Sequence, residues 1–168
     1  MEIFNNKSLT LFISLGIILI IIISIILIHL STKKDISKIR ITPFSNINEL
    51  EFGVNRKEVW KKIGKPKKSF FKTPSDTVET DVYKNFHIYY DNNYNFEAIE
   101  VFNNIDIYYD NNKLPKKYSE TLEYLKKRFN DIEENEYVFT TKEGSISVYK
   151  ESEDDSIDAI LIAKKNYY

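Results

Sequence analysis

From Leu9 to Leu30 the chain carries no charged side chain, and isoleucine and leucine make up most of the run. About 20 apolar residues in a helix span the roughly 30 Å hydrocarbon core of a bilayer. The pattern predicts one transmembrane helix at 9–30, preceded by a short tail at 1–8. A cleaved signal peptide would carry a shorter apolar stretch, about 7–15 residues, closed by small residues. Here the run closes on His29-Leu30-Ser31-Thr32-Lys33-Lys34, which offers no such site. The stripe is apolar all round, without the polar face of a buried amphipathic helix. The expectation is a single-pass protein of the cell membrane, with the lipid bilayer as the partner of residues 9–30.

Lysine and arginine near the ends of a span set its orientation, the richer side staying cytoplasmic. Lys7 precedes the run, while Lys33, Lys34, Lys38 and Arg40 follow it. The count favours a cytoplasmic over an extracytoplasmic C-terminal domain. Residues 31–46 are polar and irregular, and Thr42-Pro43 disfavours continuing the helix there, so this stretch reads as a juxtamembrane linker.

The remaining residues, 47–168, are enough for one compact domain with a real core. With 12 Tyr and 11 Phe against 4 Gly and 4 Pro, the chain has the composition of a folded domain. A net charge of -1 gives no bulk attraction to phosphates, and no nucleic-acid partner is expected. The chain has no cysteine, which excludes disulfides, thiolate metal sites and cysteine nucleophiles.

The best-specified local structure is a short helix within Val54–Pro66. Asn55 suits the N-cap, with Glu58 three residues on, and Gly64 and Pro66 stop the helix. Strand signals follow at Val78–Tyr83, Phe86–Tyr90, Phe96–Phe102 and Ile105–Tyr109, rich in aromatic and β-branched residues and separated by Asn and Asp. Short connections of this kind predict an antiparallel meander. A second helix is expected at Tyr118–Phe129, on the stripe Tyr118, Leu122, Leu125 and Phe129. Strands at Tyr137–Thr140, Ser145–Lys150 and Ile157–Ala163 complete the chain. The order predicts an α+β domain at 47–168, a helix-plus-antiparallel-sheet arrangement that suggests two α/β half-repeats.

The segment Phe52-Gly53-Val54-Asn55-Arg56-Lys57-Glu58-Val59 through Ile63-Gly64-Lys65-Pro66 resembles a known repeat unit. It looks like that of the β-lactamase-inhibitor-protein-like fold, shared with the BamE (SmpA/OmlA) assembly lipoproteins. The stretch at 86–91 and 97–100 is similar to one in uncharacterised bacterial proteins. The resemblance implies a small α/β module that grips another protein with its sheet and performs no catalysis. The chain departs from BamE in lacking the lipidated cysteine. No inhibitor contact residue carries over, because the match ends before the strands.

Chemistry-bearing groups are sparse. His29 closes the apolar run, and His87 stands alone in a strand without the further ligands a zinc site needs. No phosphate-cradling glycine loop exists. Glu97 and Glu100 are the one acid–base pairing worth naming. No cofactor and no metal are expected, and the chain reads as a non-enzyme. Two surfaces stand out. Arg56, Lys57, Lys61, Lys62, Lys65, Lys67, Lys68 and Lys72 form a basic cluster suited to an anionic surface such as lipid headgroups. On the strands, alternation places Phe86, Ile88, Tyr90, Ile107 and Tyr109 toward the core. It leaves His87, Tyr89, Asp106 and Tyr108 outward, as candidate anchors for an unknown protein partner. The expected role is a membrane-anchored, non-catalytic protein-binding module, an inhibitor or toxin-immunity factor; the alternative is an exported envelope-assembly or structural factor resembling BamE.

Overall fold

The computed structural model describes residues 6–31, 36, 38–102, 105–151 and 154–168. The chain divides into two units, Met1–Asp35 and Ile36–Tyr168. The first contains helix α1, Asn6–Ser31, whose side chains are described over 13–25 and are all exposed. Among the described residues no helix is long and apolar enough to cross a membrane. The expected transmembrane helix at 9–30 is therefore not supported. The side chains of Lys7 and His29, and residues Lys33 and Lys34, lie outside the described ones.

The second unit begins with β1 (Lys38–Thr42), β2 (Asn46–Ile47), β3 (Leu50–Glu51) and α2 (Arg56–Ile63). Four strands follow: β4 (Lys68–Phe70), β5 (Thr80–Val82), β6 (Phe86–Tyr90) and β7 (Phe96–Phe102). Next come β8 (Asp106–Tyr109), β9 (Asn112–Lys113) and α3 (Tyr118–Lys126). The chain closes with β10 (Ile132–Glu134), β11 (Val138–Thr141), β12 (Ile146–Lys150) and β13 (Ile157–Ala163).

Helix α2 forms where its capping chemistry dictates. The Asn55 side chain accepts a hydrogen bond from the Lys57 N–H, and Lys61 and Lys62 occupy the negative end of the helix dipole. Gly64, at φ 87°, takes the left-handed region and donates its N–H to the Trp60 carbonyl at 2.8 Å, ending the helix. Between β8 and β9 a two-residue turn is built on Asp110 and Asn111, both at positive φ. This is the backbone that a tight hairpin with right-handed strand twist requires.

The strands form two sheets. The smaller has the order β3-β2-β1-β8-β9, with β1 and β8 parallel. The larger has the order β10-β11-β12-β13-β7-β6-β5-β4 and is antiparallel throughout. Two meanders, β4–β7 and β10–β13, each follow a helix and join where β7 pairs with β13, Ile99 opposite Ile162. The start of each helix is pinned to the approach to its own last strand. Asn55 bridges Asn95 and Lys117 bridges Ser156; the Arg56 and Tyr118 N–H groups donate to the Tyr94 and Asp155 carbonyls, both at 2.8 Å.

One core unites both sheets and the two short helices. It holds Ile39, Ile41 and Ile47 from the smaller sheet, Val59, Leu122 and Leu125 from the helices, and Ile88, Ile99, Phe139, Val148 and Ile162 from the larger. At roughly 25 cal/mol per Å² of apolar surface, each such side chain stabilises by about 1.5–3 kcal/mol relative to leaving it exposed.

The expected α+β architecture is thereby corrected. The unit is mostly β, with thirteen strands in two sheets among the described residues, and α2 and α3 are only 8 and 9 residues long. Six strands of two or three residues (β2, β3, β4, β5, β9 and β10) are too short to show an alternating period. The stretch read as a linker contributes β1, with Ile39 and Ile41 at 0% and 3% exposure. The strand expected at 105–109 does not continue the meander from β7, because β8 crosses to the other sheet to pair with β1.

Candidate functional site

The most conspicuous polar cluster lies at the start of α2. The first helical turn places Arg56 inward, where its guanidinium meets Asp81 of β5, a residue with no exposed surface. Arg56 Nε donates to both carboxylate oxygens at 3.1 and 3.2 Å, and its Nη2 donates to Oδ1. Asp81 also accepts from Trp60 Nε1 at 2.6 Å, Ser69 Oγ at 2.8 Å and the Tyr90 hydroxyl at 2.8 Å. Glu79 completes the pairing at 3.0 Å from Nη1. Burial alone would raise the Asp81 pKa, but these donors hold the carboxyl below its ordinary value. Burial works against the Arg56 charge, yet Asp81 and Glu79 more than offset it and raise its pKa. Burial beside the Asp81 charge likewise pushes the Tyr90 phenol far up. Four side chains thus engage one carboxylate. It is saturated as an acceptor, and its chemistry is to tie α2 to the sheet.

The larger sheet has two unlike faces. One packs into the common core. The other carries a ladder that crosses all eight strands: Lys68, Val82, His87, Glu100, Leu161, Ser147, Thr140 and Glu133, each opposite the next. This outer face buries a small apolar cluster, Tyr89, Ala98, Leu161 and Ala163, against which Tyr149 and Tyr167 pack. At its centre Glu100 accepts a short hydrogen bond from the Tyr89 hydroxyl and lies 3.5 Å from His87 Nδ1. The His87 ring meets Phe102 edge-on at 4.6 Å and Phe70 at 5.8 Å. Burial lowers the His87 pKa, Glu100 acts in the opposite sense, and the net position is below the ordinary value. Ser147 Oγ donates to the Tyr168 hydroxyl at 2.6 Å. Beside the cluster a polar groove of about 310 Å³ runs between Lys72, Glu79, Tyr89, Tyr90, Glu97 and Tyr167.

The four candidate anchors do not share one surface. His87 and Tyr89 stand on β6 of the larger sheet, whereas Asp106 and Tyr108 stand on β8 of the smaller. Tyr89 is not outward in the sense expected: it is 9% exposed, and the Lys72 ammonium sits 3.6 Å from its ring centroid. Asp106 is held by Lys113 at 2.8 Å and Lys116 at 3.2 Å, and Tyr108 lies beneath the Arg40 guanidinium.

The basic cluster also divides. Arg56 is buried in its ion pair and leaves the surface set. Lys61 pairs with Glu58 at 3.7 Å, and Lys62 donates to the Glu49 carbonyl at 2.7 Å. Lys57, Lys65, Lys67, Lys68 and Lys72 remain exposed.

Of the carboxylates weighed for acid–base work, Glu97 pairs with Lys164 at 2.8 Å and Glu100 is engaged as described. Among the described residues no group of three or more His, Asp or Glu side chains is placed to hold a metal ion. Sequence reasoning passed over Asp81 and Ser147, and weighed Glu100 only for acid–base work, because their roles depend on pairings between distant strands. No family model matches the chain, and no curated protein or solved structure matches it either. The likeness to the β-lactamase-inhibitor-protein and BamE fold rests on the short stretches quoted for it, chiefly the motif at 52–66.

Proposed function

We propose that this protein is a non-catalytic protein-binding module that grips its partner with the outer face of the eight-stranded sheet, in the manner of an inhibitor or toxin-immunity factor. One observation carries the reading. The sheet buries one face in the core, while the other presents a rigid platform of half-buried aromatic and ionisable side chains centred on His87, Glu100, Phe102 and Tyr149. Eight strands at a spacing of roughly 4.8 Å make a face about 34 Å across, and β7 and β13 are roughly 23 Å long. The face narrows toward its edges, where β4, β5 and β10 are three residues, roughly 10 Å, long. Aromatic rings fixed by the sheet bind with little loss of side-chain entropy, which makes them efficient anchors.

The test is a set of charge insertions on the whole protein. Thr140→Arg and Tyr149→Arg on the outer face should abolish capture of a partner from cell extract. Glu123→Arg, on the exposed side of α3, should leave capture unchanged. Equal capture by all three variants would remove the outer face from consideration.

A further inference from the structure

We propose that β4, the basic edge of the eight-stranded sheet, accepts an acidic extended segment of the partner as an added strand. The proposal rests on the protein-binding reading and names the partner's chemistry. Three observations lead to it. First, among the described residues β4 ends the strand order and pairs with β5 alone, so one side of its backbone is open for strand addition. Second, the edge is electropositive. With Arg56 buried and Lys61 and Lys62 engaged, the exposed lysines Lys65, Lys67, Lys68 and Lys72 lie along β4 and its two ends. Third, Phe70 and Phe71 are 38% and 50% exposed at the end of this strand. Lys68 and Phe70 also belong to the outer face, since they pair across to Val82 and Thr80. A strand laid along β4 would extend the binding platform.

The lysines choose among occupants. They repel a second copy's β4, which suppresses edge-to-edge pairing of identical chains, and they attract carboxylates. A lipid surface would use the same charges but has no use for an open row of backbone donors and acceptors. A peptide strand uses both. Apolar residues alternating with the acids would meet the phenylalanines.

The experiment uses the full chain, isotopically labelled, with short synthetic peptides as probes. One alternates glutamate and valine, a second alternates lysine and valine, and a third is the glutamate peptide with alternate amides N-methylated. The glutamate–valine peptide should bind and slow exchange at those β4 amides that face away from β5. The other two should bind at least about tenfold more weakly, since one reverses the charge complementarity and the other removes the main-chain donors. Lys67→Glu combined with Lys68→Glu should reverse the charge preference; Lys65→Glu with Lys72→Glu serves if the first pair fails to fold.

Equal binding of the methylated peptide, or protection confined to other strands, overturns the proposal. So does binding to vesicles of phosphatidylserine and phosphatidylcholine that the peptide does not compete away. Concentration-dependent self-association abolished by Glu133→Lys and Glu134→Lys on β10 would instead assign the edge to a second copy, and also overturns it. A failure here with Thr140→Arg still blocking partner capture would remove the edge and leave the outer-face reading intact.

Discussion

The Trp60 indole N–H donates to the Asp81 carboxylate at 2.6 Å, while the Arg56 guanidinium that pairs with Asp81 lies over the Trp60 ring at 4.7 Å. Trp60 is the only tryptophan in the chain. Its fluorescence therefore reports directly on the buried ion pair. The folded-state pKa of Asp81 is depressed, so its contribution to stability is fully present above the unfolded value of about 3.9 and is lost as pH falls through the folded value. Tryptophan emission should be flat from neutral pH down to about pH 4 and change below it. The Asp81→Asn variant should lack that acid transition.

Removing one partner of the pair should be far more damaging than removing both. Asp81→Ala leaves the Arg56 charge buried and should cost about 3–5 kcal/mol in urea unfolding. Asp81→Leu combined with Arg56→Met replaces the pair with apolar groups and should cost much less than the sum of the single changes. A strictly additive double variant would contradict the coupling of these two residues.

Gly144 is required for want of space. A Cβ there would lie 2.8 Å from both Phe129 Cε2 and Thr141 Cγ2. Gly144→Ala should destabilise the protein by about 1–3 kcal/mol. Adding Phe129→Leu should recover part of the loss, as read from the denaturation midpoint. No recovery would mean that Phe129 is not the obstructing group.

His87 gives the outer face a pH dependence of defined sign. Its folded-state pKa is depressed below the unfolded value of about 6.5. The unfolded chain therefore takes up the proton first. The stabilising contribution is present above about pH 6.5 and is lost as pH falls through the folded value. Unfolding midpoints should decline between about pH 7 and pH 5, and His87→Gln should flatten that decline.

Much of the local structure was legible in the residues. Strands at Phe86–Tyr90, Phe96–Phe102 and Ile157–Ala163 have the bounds that their aromatic and β-branched composition predicts. The caps Asn55 and Gly64 delimit α2 as capping chemistry requires. What escaped was non-local. The β1–β8 and β7–β13 pairings join segments about sixty residues apart or more, and no local period encodes which strands meet. Tyr89 was read as exposed from alternation alone. It does face away from the core, but Tyr149 and Tyr167 pack over its cluster, which no pattern within β6 could show. The apolar run at 9–30 shows the converse: its composition suggested a bilayer span that the described helix does not support.

The central claim is that the outer face of the eight-stranded sheet is the binding surface. Site-specific photo-crosslinking in the native cell tests it most directly, with a photoreactive amino acid at Phe102, Thr140 or Tyr149 and a control at Glu123. The account predicts that the three outer-face positions yield the same single protein adduct by mass spectrometry, and that Glu123 yields none. Adducts from Glu123 alone, or unrelated adducts from the three outer-face positions, would contradict it.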